Sequence, residues 1–350
     1  MSAEHLWYIP NQAEPGHRGD DVVAGHNSLE TLTGQALALE RHGWGGALIG
    51  TGWGRPDTFT VATALVARTS TFRPLIATRP GYWRPAPFAS AAATLDHLSG
   101  GRVLVNIVSG KDNLGAYGDV EGDQAQRYAR TSEFMRLVRR LWTEENVTFH
   151  GEHFRVDGST VVPRPLVRRP PLYFGGASPA AERVAATEAD VQLFWGEPLD
   201  DIAERIDRLR RLSARLGRDL PPLEFGLRVT TVVRDTTEQA WAVAEARVAQ
   251  MAAGTRTADR DPRWNAAVGQ RRLLDLATRG DVLDDNLYTA PGRFGGGGAG
   301  STWLVGSAEE VARSLRKYRG LGIRHLILSD TPYLEEIARQ GERLLPLLAE

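Results

Sequence analysis

The stretch "PPLYFGGASPAAERVAA", residues 170–186, begins as an apolar run and ends as a helical pattern. Gly175, Gly176, Ala177, Ser178 and Pro179 occupy the joint. Two glycines let the backbone turn sharply and approach a ligand closely. A serine followed by proline is a helix start, the hydroxyl capping and the proline filling the first turn. Unused N–H groups at such a start, together with the hydroxyl, suit an anion, and a phosphate fits best.

The same unit repeats outward in both directions. Toward the N-terminus the apolar runs are "LWYIP" (6–10), "GALIGTG" (46–52), "FRPLIATRPG" (72–81) and "RVLVNIVSG" (102–110). Helical patterns follow the first three at 29–43, 58–69 and 87–101, the first with Ser28 as N-cap and Gly43 as its stop. After a polar connection over 111–125, "QRYARTSEFMRLVRRLW" (126–142) places Phe134, Met135, Val138, Leu141 and Trp142 on one helical stripe. "VTFHGEHFRVDG" (147–158) reads as a hairpin. Toward the C-terminus, "VQLFWG" (191–196), "LEFGLRVTTVVR" (223–234) and "HLILSD" (325–330) read as strands, with helical patterns at 199–217, from 236, at 307–322 and to the end.

Eight strand-like runs alternating with helical patterns predict an α/β fold, a TIM (β/α)8 barrel rather than an open doubly wound sheet. One domain accounts for residues 1–350, with an insertion over about 111–169 and a mobile lid over about 252–303 containing "GRFGGGGAGST". Four consecutive glycines cost backbone entropy when ordered, and loops of this kind close over sites to exclude water. In a barrel the strand C-termini share one mouth, so "GTG", "TRPG", "NIVSG", "FGGAS", "FWGEP", "RVTT" and "SDTP" are expected together.

Composition narrows the chemistry. Forty-two Lys and Arg against 43 Asp and Glu leave a net charge of −1, which favours neither nucleic acid nor an anionic membrane as partner. No cysteine is present, which removes disulfides, thiolate metal sites and cysteine nucleophiles and fits a cytoplasmic protein. "MSAEHLWYIPNQ" carries no signal-peptide pattern. His150 and His153 flank Glu152 in the hairpin, where surface decoration is expected and no metal site.

The ordered set "LIGTGWGRPDTF", "ATLDHLSGGRVLVNIVSG", "AQRYARTSEF", "PPLYFGGASPAA", "FWGEP", "FGLRVTTVVRDTTEQAW", "GGAGSTWLVGS" and "LEEIARQGERLLPLL" resembles the bacterial luciferase-like superfamily, in particular its alkanesulfonate monooxygenase branch. The resemblance implies reduced FMN delivered by a separate NAD(P)H-dependent flavin reductase, O2 as co-substrate, and cleavage of a C–S bond to an aldehyde and sulfite. It implies that Asp57, Thr78, Asn106 and Ser109 line the flavin ring and ribityl chain, and that Tyr128, Ser178 and backbone donors near Ala177 hold the phosphate. It also implies a homodimer or homotetramer.

The substrate side needs an anion receptor. Arg228 stands inside a strand that should be buried, where a charge is costly unless paired, and an arginine fork matches a sulfonate. Read with the resemblance, Arg228 and the lid residue Arg293 are the catalytic pair, and Trp195 and Trp53 stand at the mouth. The departures are informative. Arg55 replaces a family cysteine, Thr230 a histidine, and Thr331 a tyrosine, with Tyr333 nearby. Gln12, His17 and Arg18 add further polar groups. Such a pocket suits a polar sulfonate, for instance a sugar sulfonate such as sulfoquinovose, better than a plain alkyl chain. A deazaflavin (F420)-dependent oxidoreductase, a barrel that binds flavin without turnover, and a sugar-phosphate lyase or isomerase are the competing expectations.

Overall fold

The computed structural model describes residues 4–11, 25, 27–109, 114–119, 122–166, 169–254, 268–294 and 301–349. Eight parallel strands close on themselves: β1 Glu4–Ile9, β2 Gly46–Ile49, β3 Arg73–Thr78, β4 Leu104–Ile107, β5 Leu172–Gly175, β6 Val191–Trp195, β7 Glu224–Arg234 and β8 Ile323–Ser329. They neighbour in order from β1 to β6, β6 pairs with β7, β7 with β8, and β8 returns to β1. The expected barrel is the observed one.

Helices clothe it: α1 Leu29–Arg41, α2 Thr58–Val66, α3 Pro85–Ser99, α4 Gln124–Thr143, α5 Pro179–Glu188, α6 Leu199–Arg215, α7 Thr237–Gly254, α8 Val268–Arg279, α9 Ala308–Leu321, α10 Tyr333–Arg343 and α11 Leu345–Leu348. Ser28, Asp57, Asp123, Ser178 and Ser307 each accept a hydrogen bond from a first-turn backbone N–H and so start their helices. No described helix is long and apolar enough to cross a membrane.

Two elements depart from the sequence expectation. The stretch expected to be a lid, about 252–303, contains α8, whose Leu273, Leu276 and Ala277 are buried at helical spacing. Trp303–Ser307, to which the sequence reading assigns no element between the lid and the helical pattern at 307, is a strand paired parallel with the upper half of β7, Trp303 opposite Thr230. That pairing explains why β7 runs for 11 residues.

Strand alternation sorts the side chains into two layers. Trp7, Ile9, Ile76, Ile107, Phe174, Phe194 and Leu227 pack outward under the helices. Leu6, Tyr8, Leu48, Leu75, Ala77, Leu104, Tyr173, Leu193 and Ile327 fill the lumen. Polar groups seal the N-terminal end. Tyr173 donates to Glu4 at 2.7 Å, and His325 lies between Glu4 (3.0 Å) and Glu224 (2.7 Å). Burial alone would raise the Glu4 carboxyl. The hydrogen bonds from His325 and Tyr173 and the Arg73 charge outweigh it, and Glu4 titrates below its ordinary value. A hollow of about 1290 Å³ opens at this end, but its Arg73, Arg139 and Arg169 are committed to Glu4, Glu188 and Asp190. Groups at this end of a TIM barrel serve stability rather than catalysis.

Candidate active site

At the opposite end, Arg228 projects from β7 into the lumen and is only 6 % exposed. Its guanidinium lies over the Tyr8 ring, 4.5 Å from the centroid, and donates to Ser329 at the end of β8 (3.0 Å). Thr230, one lumen position further, is 3.5 Å from Ser329 and 3.4 Å from Ser301. An arginine, a threonine and two serines therefore converge on one floor, with an aromatic ring beneath the charge. Sequence reasoning found Arg228 and Thr230. It missed Tyr8, Ser329 and Ser301.

The β2 end shapes the same floor. Gly50 follows β2, and a Cβ there would stand 2.5 Å from the Pro10 carbonyl, 3.1 Å from Arg55 Nη1 and 3.2 Å from Tyr8 Oη. Only glycine leaves that space. Arg55 donates to the Pro10 carbonyl at 2.6 Å, and Asn11 donates to the Gly50 and Pro56 carbonyls at 2.9 and 2.8 Å, so the loops after β1 and β2 are tied together. Arg55 lies beside Gly50 and Pro10. Gln12, His17 and Arg18 lie outside the described residues.

The residues expected around a flavin separate into two groups. Asn106 faces the lumen beside Ala77, is 7 % exposed, and its side chain has no hydrogen-bond partner among the described residues. The N–H groups of Ala177 and Ser178 likewise find no acceptor, while Ser178 Oγ caps α5 by accepting from Ala181 at 3.2 Å. Tyr128 stands on α4 with its ring edge-on to Phe174 at 6.4 Å, next to that loop. Ser109 bonds Thr131 of α4 at 2.6 Å. These form a polar rim from β4 to α5. Thr78 and Asp57 do not join it. Thr78 pairs in register with Ile107 and shares its outward side, buried without a partner behind the mouth. Asp57 is spent as the cap of α2, accepting from Thr60 N (2.8 Å) and Thr60 Oγ1 (2.7 Å).

Two aromatic residues frame the opening. Trp53, 52 % exposed, meets Tyr117 edge-on at 4.7 Å, and Tyr117 stacks on Tyr82. Trp195, 38 % exposed, rests against Gly269 in the first turn of α8, where a Cβ would be 3.2 Å from its ring. Tyr333 opens α10 and is half-buried. Arg293 is directed elsewhere. It pairs with Asp281 and donates to the Ala277 carbonyl at 3.0 Å, a surface ion pair at the end of α8. The glycine run at 295–300 and the stretch 255–267 of the expected lid lie outside the described residues.

Two buried ion clusters brace this end. Glu197, in the loop after β6, accepts from Arg205 of α6 (2.7 Å) and Arg272 of α8 (3.2 Å), and Arg205 also donates to the Gly176 carbonyl (3.1 Å). Arg247 of α7 bonds Asp330 (2.5 Å) and the Thr331 carbonyl. Burial and the neighbouring Asp330 push Glu336 up to about 7, against the pull of Arg234 and Arg339. Among the described residues no group of acidic and histidine side chains is arranged to hold a metal ion.

The fold recurs in solved structures. Riboflavin lyase, determined with modified FMN and riboflavin, superposes with a TM-score of 0.79 at 20 % identity, covering 99 % of this chain and 91 % of that one. A long-chain alkane monooxygenase gives 0.78 at 15 % identity, with 99 % and 91 % covered. The F420-dependent tetrahydromethanopterin reductase from Methanopyrus kandleri gives 0.71 at 15 %, with 99 % of each chain covered. Residues 6–325 match the family model for luciferase-like monooxygenases, nearly the whole barrel from β1 into β8. The chain belongs to the luciferase-like monooxygenase family.

Proposed function

We propose that this protein is a two-component, reduced-FMN- and O2-dependent monooxygenase that cleaves the C–S bond of an organosulfonate, either an alkanesulfonate or a sugar sulfonate. The observation that carries this reading is Arg228, a guanidinium held on the lumen floor by Tyr8 and Ser329. The planar fork of a guanidinium matches the oxygens of a sulfonate, and a buried cation there binds an anion strongly because water is excluded.

The residues present fit a flavin. Asn106 offers an uncommitted amide on the lumen wall, suited to the hydrogen-bonding edge of a heterocycle. Ser178, Tyr128 and the free N–H groups at the start of α5 would take the phosphate. Reduced FMN would supply the electrons that activate O2, so that sulfonate, O2 and reduced FMN give aldehyde, sulfite, water and FMN. The chain's own work is to hold the sulfonate at Arg228, to stabilise negative charge developing on its oxygens, and to shut out water. Closure by the segments around α8, with a separate flavin reductase as partner and a dimer or tetramer as the working form, completes the proposal.

The test is sulfite release from a panel including octanesulfonate and sulfoquinovose, with FMN, NADH and a flavin reductase in air. Sulfite from at least one member is expected. No sulfite from a folded, FMN-binding protein contradicts the reading. A second reading rests on the F420-dependent enzyme that shares the fold: hydride transfer with F420 and no oxygen uptake.

A further inference from the structure

Tyr8 is 92 % removed from solvent, being 8 % exposed, yet its hydroxyl makes no hydrogen bond among the described residues. The ring is buried while the hydroxyl keeps contact with the open lumen, where it can both donate and accept a hydrogen bond. The ring has a clear task under Arg228, but phenylalanine would perform it equally well. The hydroxyl therefore needs its own explanation. It points to the space kept open by Gly50, and Arg55 Nη1 reaches the same point from the other side. Arg55 spends one N–H on the Pro10 carbonyl and keeps donors for another acceptor.

We infer that Tyr8 Oη and Arg55 form a second oxygen subsite, which selects organosulfonates bearing a hydroxyl group one or two carbons from the carbon that carries sulfur. This rests on the proposed assignment of Arg228 to the sulfonate. A hydroxyl suits the pair because it accepts from Arg55 and exchanges a hydrogen bond with the phenol. The spacing follows from the ring itself. Arg228 lies 4.5 Å from the ring centre and the hydroxyl stands beyond the ring's edge, so the two oxygen sites are a few bond lengths apart, a span that one or two carbons bridge. A plain alkyl chain leaves Tyr8 and Arg55 unmet, and a site built to bond a hydroxyl discriminates against the analogue that lacks it.

The experiment compares matched pairs: ethanesulfonate with 2-hydroxyethanesulfonate, and 1-propanesulfonate with 3-hydroxypropanesulfonate. Dissociation constants are measured calorimetrically and anaerobically with reduced FMN present, on the full-length protein and on Tyr8→Phe. Melting temperature and FMN affinity of the variant verify its fold. The wild type is expected to prefer the hydroxylated member of at least one pair by about tenfold, one good hydrogen bond. Tyr8→Phe is expected to erase that preference, read as the ratio of the two dissociation constants within each pair. Equal binding of both members by the wild type, or an undiminished preference in Tyr8→Phe, overturns the second subsite and leaves the sulfonate reading intact. A wild type that binds none of the four overturns both.

Discussion

Replacing Glu197 by Gln removes one negative charge and almost no volume from the brace behind the mouth. Arg205, with a side chain 3 % exposed, then keeps Glu182 at 3.6 Å, the Gly176 carbonyl and the face of Phe194, and Arg272 loses its carboxylate. Breaking a buried pair by removing one partner costs about 3–5 kcal/mol, because the remaining charge stays buried. Here the residual partners favour the lower end, about 3 kcal/mol. For a chain of this length that corresponds to a melting temperature lower by about 4 °C. Calorimetry measures the shift. Hydrogen exchange adds a second readout, since α8 is tied to the barrel through Arg272 and its backbone amides should exchange faster in the variant. Arg272→Met, removing the partner that is one-third exposed, should cost clearly less. A Glu197→Gln protein that melts within a degree of the wild type, with unchanged exchange in α8, refutes the claim that this cluster fastens α8 to the barrel.

Ser178→Ala removes the cap of α5 and should cost about 1 kcal/mol in urea unfolding. If the hydroxyl also meets the FMN phosphate, FMN affinity falls about tenfold or more; a stability loss with unchanged FMN affinity assigns it to capping alone. Glu336 titrates near 7 in the folded protein against an ordinary value of 4.5. The native state thus holds the extra proton between those values, and its contribution to stability, full below about pH 4.5, is lost as pH rises through 7. Glu336→Gln should therefore gain on the wild type between pH 5 and pH 8 by an amount on the order of 2–3 kcal/mol, and an equal difference at the two pH values contradicts this. Gly50→Ala would put a methyl group against the Pro10 carbonyl. A stability loss of about 1–3 kcal/mol is expected, together with weaker binding of a hydroxylated sulfonate; unimpaired binding in the folded variant counts against the space at Gly50 being a ligand site.

Much of the architecture was legible because a parallel strand buried on both faces leaves a nearly unbroken apolar run. "RVLVNIVSG" and "VQLFWG" are such runs, and β4 and β6 lie within them. Ser28 and Ser178 cap their helices as read. The strand Trp303–Ser307 escaped because only its pairing with the upper half of β7 makes it a strand. Helix α8 was hidden by the charged residues of its outer face. At the site, residue type was the weaker guide. An aspartate at a strand end suits a ligand or a helix cap equally, and at Asp57 the threonine three residues on is the partner. Arg293 was read toward the mouth, but Asp281 and the Ala277 carbonyl offer it a nearer surface partnership. Tyr8 was passed over inside "LWYIP" because an aromatic in an apolar run reads as core. The strand period puts Glu4, Leu6 and Tyr8 on one side, and this was the available signal that Tyr8 faces the lumen.

The most direct test of the central claim is stoichiometry. Under limiting reduced FMN and known O2, with a sulfonate the protein binds, oxygen uptake, sulfite and aldehyde should be measured in the same vessel. The account predicts equal amounts of sulfite and aldehyde, formation of both only when O2 and reduced FMN are present together, and loss of both in Arg228→Met that still binds FMN. Sulfite formed without O2, or substrate reduced by F420 with no oxygen consumed, would contradict it.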